Sequence, residues 1–495
     1  MKRLTTFMAL AVLLGACGAV AAEDVDLQAQ IQALKSRVAE LETQQEKITT
    51  EQRKTQLLEQ MVKEMAAQPR PAADTTLTAG YDKSFFIKSA DDQFLLEIDT
   101  LFQFRHTYGV TDDCDRVLDK EGRKYYYEDG EVPVRVDVDA VDSSASAFEL
   151  GLARLILRGH VLKDLNFRIQ LEMNDDNEDD AWLQEYELAY SFMPELGVRV
   201  GRYKSAFGKQ ENTSNSRMML VERSLANEVF NISRGTGVEL FGACPLGDTK
   251  VYHRIGIFNG FRDEKNLPFA ENDNNPAVAT RLVVPLMGAT PDDFDNESDL
   301  ENHENPVAQV GGSFAYANIK NENHFAGGED SSYQILGKNI DDGLSDTVTA
   351  KGEITMFGAD VAYKFMGLSL ILEGFYQKAN LDSGTVYDET FGEERGTDSI
   401  RGNVENYGWT AQAGYFVVPK TFELVSRISG VCIDDTNDAY EYAGGWNWYL
   451  SGQDLKLSMD ITYIDALPII SPSANFDGIQ NNSLFLIRSQ LQFQF

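Results

Sequence analysis

The chain has 495 residues, and its 44 Lys+Arg against 78 Asp+Glu leave a formal net charge of −34, which argues against a nucleic-acid binder because phosphates need a basic face. Mean hydropathy is −0.32, and beyond residue 22 no run of about 18 apolar residues occurs, which excludes a polytopic helical membrane protein. With 20 Tyr, 28 Phe and 4 Trp against 13 Pro, strands are favoured over disorder.

Lys2 and Arg3 precede an apolar stretch from Phe7 to Leu14, and Ala19-Val20-Ala21-Ala22 then leads into Glu23-Asp24. This predicts a secretory signal peptide over 1–22; the apolar core is too short for a membrane anchor. Leu14-Gly15-Ala16-Cys17 also resembles a lipoprotein cleavage box, which would leave Cys17 as a lipid-bearing N-terminus. Cys114, Cys244 and Cys432 are an odd set, so they make no complete disulfide framework, although Cys114 and Cys432 fall on the same side in the strand plan below.

Leu27, Ile31, Leu34, Val38, Leu41, Gln45 and Ile48 recur at alternating spacings of four and three. That is a heptad seam, and it predicts a coiled coil over 23–68, roughly 60 Å long if continuous. Gln52 and Thr55 weaken the seam before Leu58, Met61 and Met65. The competing expectation is an amphipathic helix lying on the protein's own surface. Val and Ile at one seam position with Leu at the other favour two strands by rule. Gln68-Pro69-Arg70-Pro71 ends the helix and opens a linker over 69–83.

From Ser84 the periodicity changes to alternation. Phe485, Ile487, Leu491, Phe493 and Phe495 share one face, and Arg488, Gln490, Gln492 and Gln494 the other. Repeated alternation over about ten residues is the signature of membrane-spanning strands. It predicts an all-β, 16-stranded antiparallel transmembrane barrel over 84–495, with strands at 99–109, 147–160, 165–174, 182–192, 196–204, 235–243, 250–259, 277–286, 308–317, 356–365, 368–378, 406–417, 421–430, 441–450, 455–463 and 484–495. Long and short connections alternate between them, as expected of outer loops and periplasmic turns. The acidic connection 287–307 on the short-turn side departs from that rhythm, as do the short loops 175–181 and 431–440 on the other. Aromatic residues near strand ends, including Tyr108, Tyr190, Phe192, Tyr415, Trp446, Trp448 and Tyr463, suit interfacial girdles.

The stretch Val198-Arg199-Val200-Gly201-Arg202-Tyr203-Lys204-Ser205-Ala206-Phe207-Gly208-Lys209-Gln210-Glu211, followed by Val221-Glu222-Arg223-Ser224-Leu225 and Arg234-Gly235-Thr236-Gly237, resembles the phosphate-selective porins O and P. So does Tyr407-Gly408-Trp409-Thr410-Ala411-Gln412-Ala413-Gly414-Tyr415-Phe416 running into Phe422-Glu423-Leu424-Val425-Ser426-Arg427. The resemblance implies a trimeric outer-membrane barrel, a third long loop (205–234) folded inward to narrow the pore, and basic side chains guiding anions. It also implies that the coiled coil is an addition, like the periplasmic spacers of some porins. Three strands in that coil would conflict with the two its seam favours.

A 16-stranded barrel is wide enough to hold water, so diffusion is its default activity. Strand parity places Arg105, Arg154, Arg158, Arg168, Arg199, Arg427 and Arg488 inward, against Glu149, Glu172, Glu185, Glu187, Glu239, Glu423 and Asp460 among others. Arg254, Arg281, Lys364 and Lys456 join the basic set. Lys209, Arg217, Arg223 and Arg234 of the third loop complete the pore-lining or constriction candidates. An arginine fork suits phosphate, yet Arg paired with Glu across strands serves structure alone. Acidic outer loops, such as Asp175-Asp176 with Glu178-Asp179-Asp180, repel anions within about 8 Å at physiological salt.

The expected function is therefore passive diffusion of small hydrophilic solutes and ions, phosphate or other anions among them, with outer-membrane lipid and a homotrimer as partners. The alternative is a structural protein whose coiled coil tethers the envelope through cell-wall contact, with an unselective or cation-favouring pore. His106, His160, His253, His303 and His324 form no triad or metal-ligand spacing, so neither an enzyme nor a cofactor is expected. The acidic run Asp292 to Glu297 offers oxygens to Ca²⁺ but lacks calcium-hand spacing.

Overall fold

The computed structural model describes residues 77–111, 125–126, 134–135, 144–173, 182–260, 276–319, 346–388, 393–395, 402–432, 438–465 and 483–495. The segments predicted as signal peptide and coiled coil, Cys17, Cys114 and the acidic run 175–180 lie outside them. The chain divides into two units, Met1–Asp74 and Thr75–Phe495, and the described residues belong to the second.

Sixteen strands of this unit pair antiparallel in chain order. They are β1 Phe94–Thr111, β2 Ser144–Val161, β3 Leu165–Met173, β4 Trp182–Met193, β5 Leu196–Lys204, β6 Arg234–Leu246, β7 Thr249–Phe258 and β8 Ala277–Leu286, then β9 Val307–Ile319, β10 Asp346–Phe365, β11 Leu368–Asp388, β12 Gly402–Val418, β13 Phe422–Cys432, β14 Ala439–Ser451, β15 Leu455–Asp465 and β16 Leu484–Gln494. β16 pairs back onto β1, from Leu484↔Thr111 to Gln494↔Leu101. The Phe495 carbonyl accepts the Thr100 amide at 2.8 Å. The sheet is therefore a closed cylinder with no edge, which is what lipid demands of a strand protein, since an unpaired backbone group in hydrocarbon costs several kcal/mol.

Each strand predicted from alternation is present. The chief difference in length is the β10–β11 hairpin, which runs on to Asp346↔Asp388. Beyond the membrane band a strand needs no apolar face, so Thr347, Thr349 and Thr385 extend the ladder without the alternation that marks its lower part. Within the stretch read as linker, Leu77–Asp82 is a strand. It forms a hairpin with Ser84–Ser89, and that strand pairs with the start of β1.

The burial pattern is that of a soluble protein turned inside out. In β13, Glu423, Arg427 and Ser429 are buried, while Leu424 and Ile428 are 49% and 45% exposed. The same inversion runs through β15 and β16, with Asp460 and Arg488 buried and Ile461 and Leu491 outward. Apolar side chains that no protein covers belong in lipid. Tyr108, Tyr190, Phe192, Tyr415, Trp448 and Tyr463 all stand on this outer face.

Alternation is reset at bulges. β1 and β2 slip register between Gln103 and Phe104, opposite Gly151, which lets odd-numbered Glu149 and even-numbered Arg154 reach the inside. Gly151 lies against the Arg105 guanidinium, whose Nε a Cβ there would meet at 3.1 Å. A second slip between Gln170 and Leu171 does the same for Gln184 beside Glu185.

Candidate functional site

The third long connection, residues 205–233, runs inside the cylinder. It carries α1 Lys209–Asn212, α2 Leu225–Phe230 and the 3₁₀ turn Asn215–Arg217. Ser224 caps α2 by accepting the Asn227 amide. Leu225, Ala226, Asn227, Val229 and Phe230 of α2 are all buried, so the helix is covered on several sides. Phe230 stacks on Phe375 of β11 at 5.6 Å, and Phe207 stacks on the same ring at 6.1 Å. A Cβ on Gly408 would meet the Phe230 ring at 2.3 Å, so only glycine lets α2 approach β12.

Inward groups of β10–β16 satisfy this connection's backbone. Glu373 accepts the amides of Lys209 and Gln210, Asp460 that of Val221 at 3.0 Å and Glu441 that of Leu225 at 2.7 Å. Lys456 Nζ donates to the carbonyls of Ser216 and Met218. Arg427 donates to those of Glu222 and Arg223 at 2.9 and 3.0 Å. A loop buried in a lumen must find such partners for its peptide groups, and the wall supplies them as charged side chains. Burial pushes the Lys209 amine below the ordinary lysine range, against the pull of Asp360.

A second segment enters from the opposite, short-turn end. Residues 287–306 fold up into the cylinder, with Phe294, Glu297, Ser298 and Asp299 buried. The carboxylates read as a potential cation cluster are engaged within the protein. Asp295 pairs with Arg217 at 2.8 Å, Asp293 accepts the Thr290 amide at 2.7 Å and Glu297 accepts the Met219 amide at 2.8 Å. Burial would raise the Asp293 carboxyl, but Thr290 and His303 outweigh it and hold the group below its usual range. Among the described residues no cluster of His, Cys, Asp or Glu is arranged to hold a metal.

The side of the lumen facing β2–β7 holds a cavity, across which Lys204, Arg254 and Arg154 touch the inner loop. Its volume is about 240 Å³, and it is lined by Arg154, Arg168, Arg199, Lys204, Arg234 and Arg254 against Glu185 and Glu187. Their pairings run along the wall. Arg168 meets Glu185 at 3.1 Å, Arg234 meets the same carboxylate at 2.7 Å, Arg199 meets Glu187 at 3.0 Å and Arg254 meets Glu239 at 2.9 Å. Arg154 pairs with Glu172 and reaches Asn215 of the inner loop at 3.2 Å.

The sequence-predicted candidates thus separate into three places. Arg154, Arg168, Arg199 and Arg234 line the cavity. Arg105, Arg223, Arg427 and Lys209 join the inner loop to the wall or to itself, with Arg105 reaching Glu222 at 2.5 Å, while Arg488 pairs within the wall with Asp460 at 2.8 Å, the carboxylate that accepts the Val221 amide. Arg158 stands half-exposed toward the short-turn end, beside Glu97 and Asp99, and Arg217 faces the turn through Asp295. Lys204 and Asn212 of the cavity were not singled out by the sequence, and neither was the part played by 287–306. Phe294 within an acidic run was the one visible sign of that segment's burial. Cys432 is a free thiol. His106, His160 and His253 lie apart, and His303 bonds Asp299 at 2.5 Å.

Residues 129–493 match the family described as phosphate-selective porin O and P. Similar solved structures include the anion-selective porin from Comamonas acidovorans, at 12% identity over 81% of this chain and 99% of that one, with a TM-score of 0.46. The outer-membrane expressed OmpT of Vibrio cholerae is 12% identical over 80% and 98%, with a TM-score of 0.44. The outer membrane channel DcaP of Acinetobacter baumannii is 11% identical over 84% and 100%, also at 0.44. No curated protein matches. Since the family match extends over well more than half of its length, the chain belongs to the phosphate-selective porin O and P family.

Proposed function

We propose that the chain, as an outer-membrane channel, passes small hydrophilic solutes by diffusion along the β2–β7 side, with a modest preference for anions. One observation carries this reading. The cavity places five arginines and Lys204 against two carboxylates, and with Glu172 and Glu239 counted behind them the arginines alone still leave one positive charge in excess. Because each arginine already has a carboxylate partner, the excess is shared along the wall rather than concentrated in one phosphate clamp. Field strength at the constriction, not a single strong site, then sets the preference, and weak multiple sites allow exit as well as entry.

In this reading the short turns face the periplasm and 205–233 narrows the path from outside. A homotrimer and an N-terminal periplasmic coiled coil remain part of the proposal through the family resemblance and the heptad seam, as does the exported outer-membrane location. The test is the reversal potential of the purified protein in a planar bilayer across a KCl gradient. The expected sign is that of chloride passing more readily than potassium, with the double variant Arg168→Ala/Arg234→Ala lowering the permeability ratio about two-fold. Strong potassium preference would defeat the anion reading and favour the tethering alternative.

A further inference from the structure

Building on the channel reading, we infer that the turn 287–306 is a clamp that fixes the inner loop from the short-turn end, with Glu297 as its positioning residue, and so sets the size limit of the path. β8 and β9 are adjacent antiparallel strands, and joining them needs only the two or so residues of an ordinary hairpin. The extra chain is built into the lumen instead.

The turn is first anchored to the wall. Lys364 Nζ of β10 donates to the carbonyls of Asp293, Asn296 and Ser298 at 2.7, 2.8 and 2.9 Å. The Ser298 hydroxyl meets Glu423 of β13 at 2.9 Å and Tyr449 of β14 at 2.8 Å. Asp299 accepts the Gly367 amide at 2.8 Å. Three separate stretches of wall therefore hold it without help from the loop.

From that base it grips the loop on both flanks of residues 211–218. The Glu297 carboxylate accepts from Gln210 Nε2 at 3.1 Å and from the Met219 amide at 2.8 Å, and it ties both to Gln412 of β12 at 2.7 Å. The Glu297 amide donates to the Arg217 carbonyl at 3.0 Å. Lys209 Nζ donates to the Phe294 carbonyl at 3.1 Å. Phe294 packs with Met219, Leu220 and Val425 in an apolar cluster inside the cylinder. A buried carboxylate with several donors is held in one geometry, because any loosening leaves a charge unsatisfied. In the channel reading the path runs through the cavity between this loop and β2–β7, across which Lys204, Arg254 and Arg154 also touch the loop, so a shift of the loop's clamped flanks changes the width.

The test uses the full chain in planar bilayers and in liposomes challenged with sugars of increasing size, together with trypsin sensitivity at Arg217 and Arg223. Replacing residues 290–304 by a Gly-Ser-Gly turn is expected to raise single-channel conductance about two-fold and to admit sugars that the wild type rejects. Glu297→Ala is expected to add open-channel current noise and to expose the loop to trypsin, whereas Glu297→Gln, which keeps an accepting oxygen, should fall between. Wild-type conductance, size limit and trypsin resistance in both folded variants would overturn the clamp. If the shortened variant does not fold, the Glu297→Ala result decides alone. A wild-type protein that inserts but passes no current would defeat the channel reading instead, while trypsin sensitivity would still judge the clamp.

Discussion

The two halves of the lumen use the same alternation and the same pairing of arginine with carboxylate, yet one is filled and the other holds the cavity. In the β10–β16 half, several inward carboxylates accept backbone amides of the inner loop: Glu373 takes those of Lys209 and Gln210, and Asp460 and Glu441 take one each beside a wall arginine. In the β2–β7 half the carboxylates pair with wall arginines, as Glu185 does with Arg168, and it is cations that reach the loop: Lys204 donates to the Glu211 and Thr213 carbonyls, Arg254 to Asn212 and Arg154 to Asn215. What separates the halves, among the described residues, is therefore that wall carboxylates accept loop amides in the β10–β16 half alone, and not the charge of the wall. Sequence parity reports the wall but says nothing of which inward charge serves a loop.

The largest expected effect tests that contrast. Arg427→Ala leaves Glu441 buried without its cation and the Glu222 and Arg223 carbonyls without donors, and should destabilise the barrel by about 3–5 kcal/mol. Arg168→Ala, beside a wetter cavity, should cost under about 1 kcal/mol. Urea midpoints in detergent, read by the heat-dependent gel mobility of folded barrels, check both values. Equal losses would erase the distinction between the halves.

A slightly smaller effect tests the inversion of inside and outside on which both halves depend. Leu372 is 54% exposed on the outer face of β11, next to Glu373, which is buried inside. Leu372→Arg should cost about 2–4 kcal/mol if that face lies in hydrocarbon, as measured by unfolding from lipid vesicles. A neutral result would show that the face meets water.

The smallest effect concerns acid. Burial raises the Glu222 carboxyl, but Arg105 and Arg488 outweigh it and hold it below the usual carboxylate range. A depressed folded value means that the stabilisation is complete above the unfolded value of 4.5 and is lost as pH falls through the folded one. Amide hydrogen exchange of the inner loop, corrected for its intrinsic pH dependence, should therefore rise only below about pH 4.5 in the wild type, and Glu222→Gln should show the loosened behaviour already at neutral pH. A change beginning near pH 7 would assign the response to another group.

Much of this was legible in the residues. Alternation found all sixteen strands because lipid outside and water or charge inside impose a period of two on the wall; Leu424–Arg427–Ile428 shows it plainly. It could not find the outer part of β10–β11, where Thr347 pairs with Tyr387 and Thr349 with Thr385 and no alternation of apolar residues marks the sequence. Nor could it set the phase through the bulge at Gly151 except by the demand that Glu149 and Arg154 both face inward. The candidate site was legible as a list of charges but not as an arrangement. Arg168 and Arg427 have the same inward parity, and only the path of 205–233 makes one a cavity residue and the other a loop support. The segment 287–306 read only as an acidic connection out of rhythm because its carboxylates dominate it, and their partners, Arg217, Gln210 and Gln412, are distant in sequence.

The most direct test of a water path confined to one side is thiol-reagent block of single-channel current, with Cys114, Cys244 and Cys432 replaced by serine. A cysteine at Arg168, on the cavity, should let a charged water-soluble thiol reagent reduce the current, whereas one at Thr462, which is buried against Arg488, should leave it unchanged. Equal block at both positions, or block at Thr462 alone, would contradict the account.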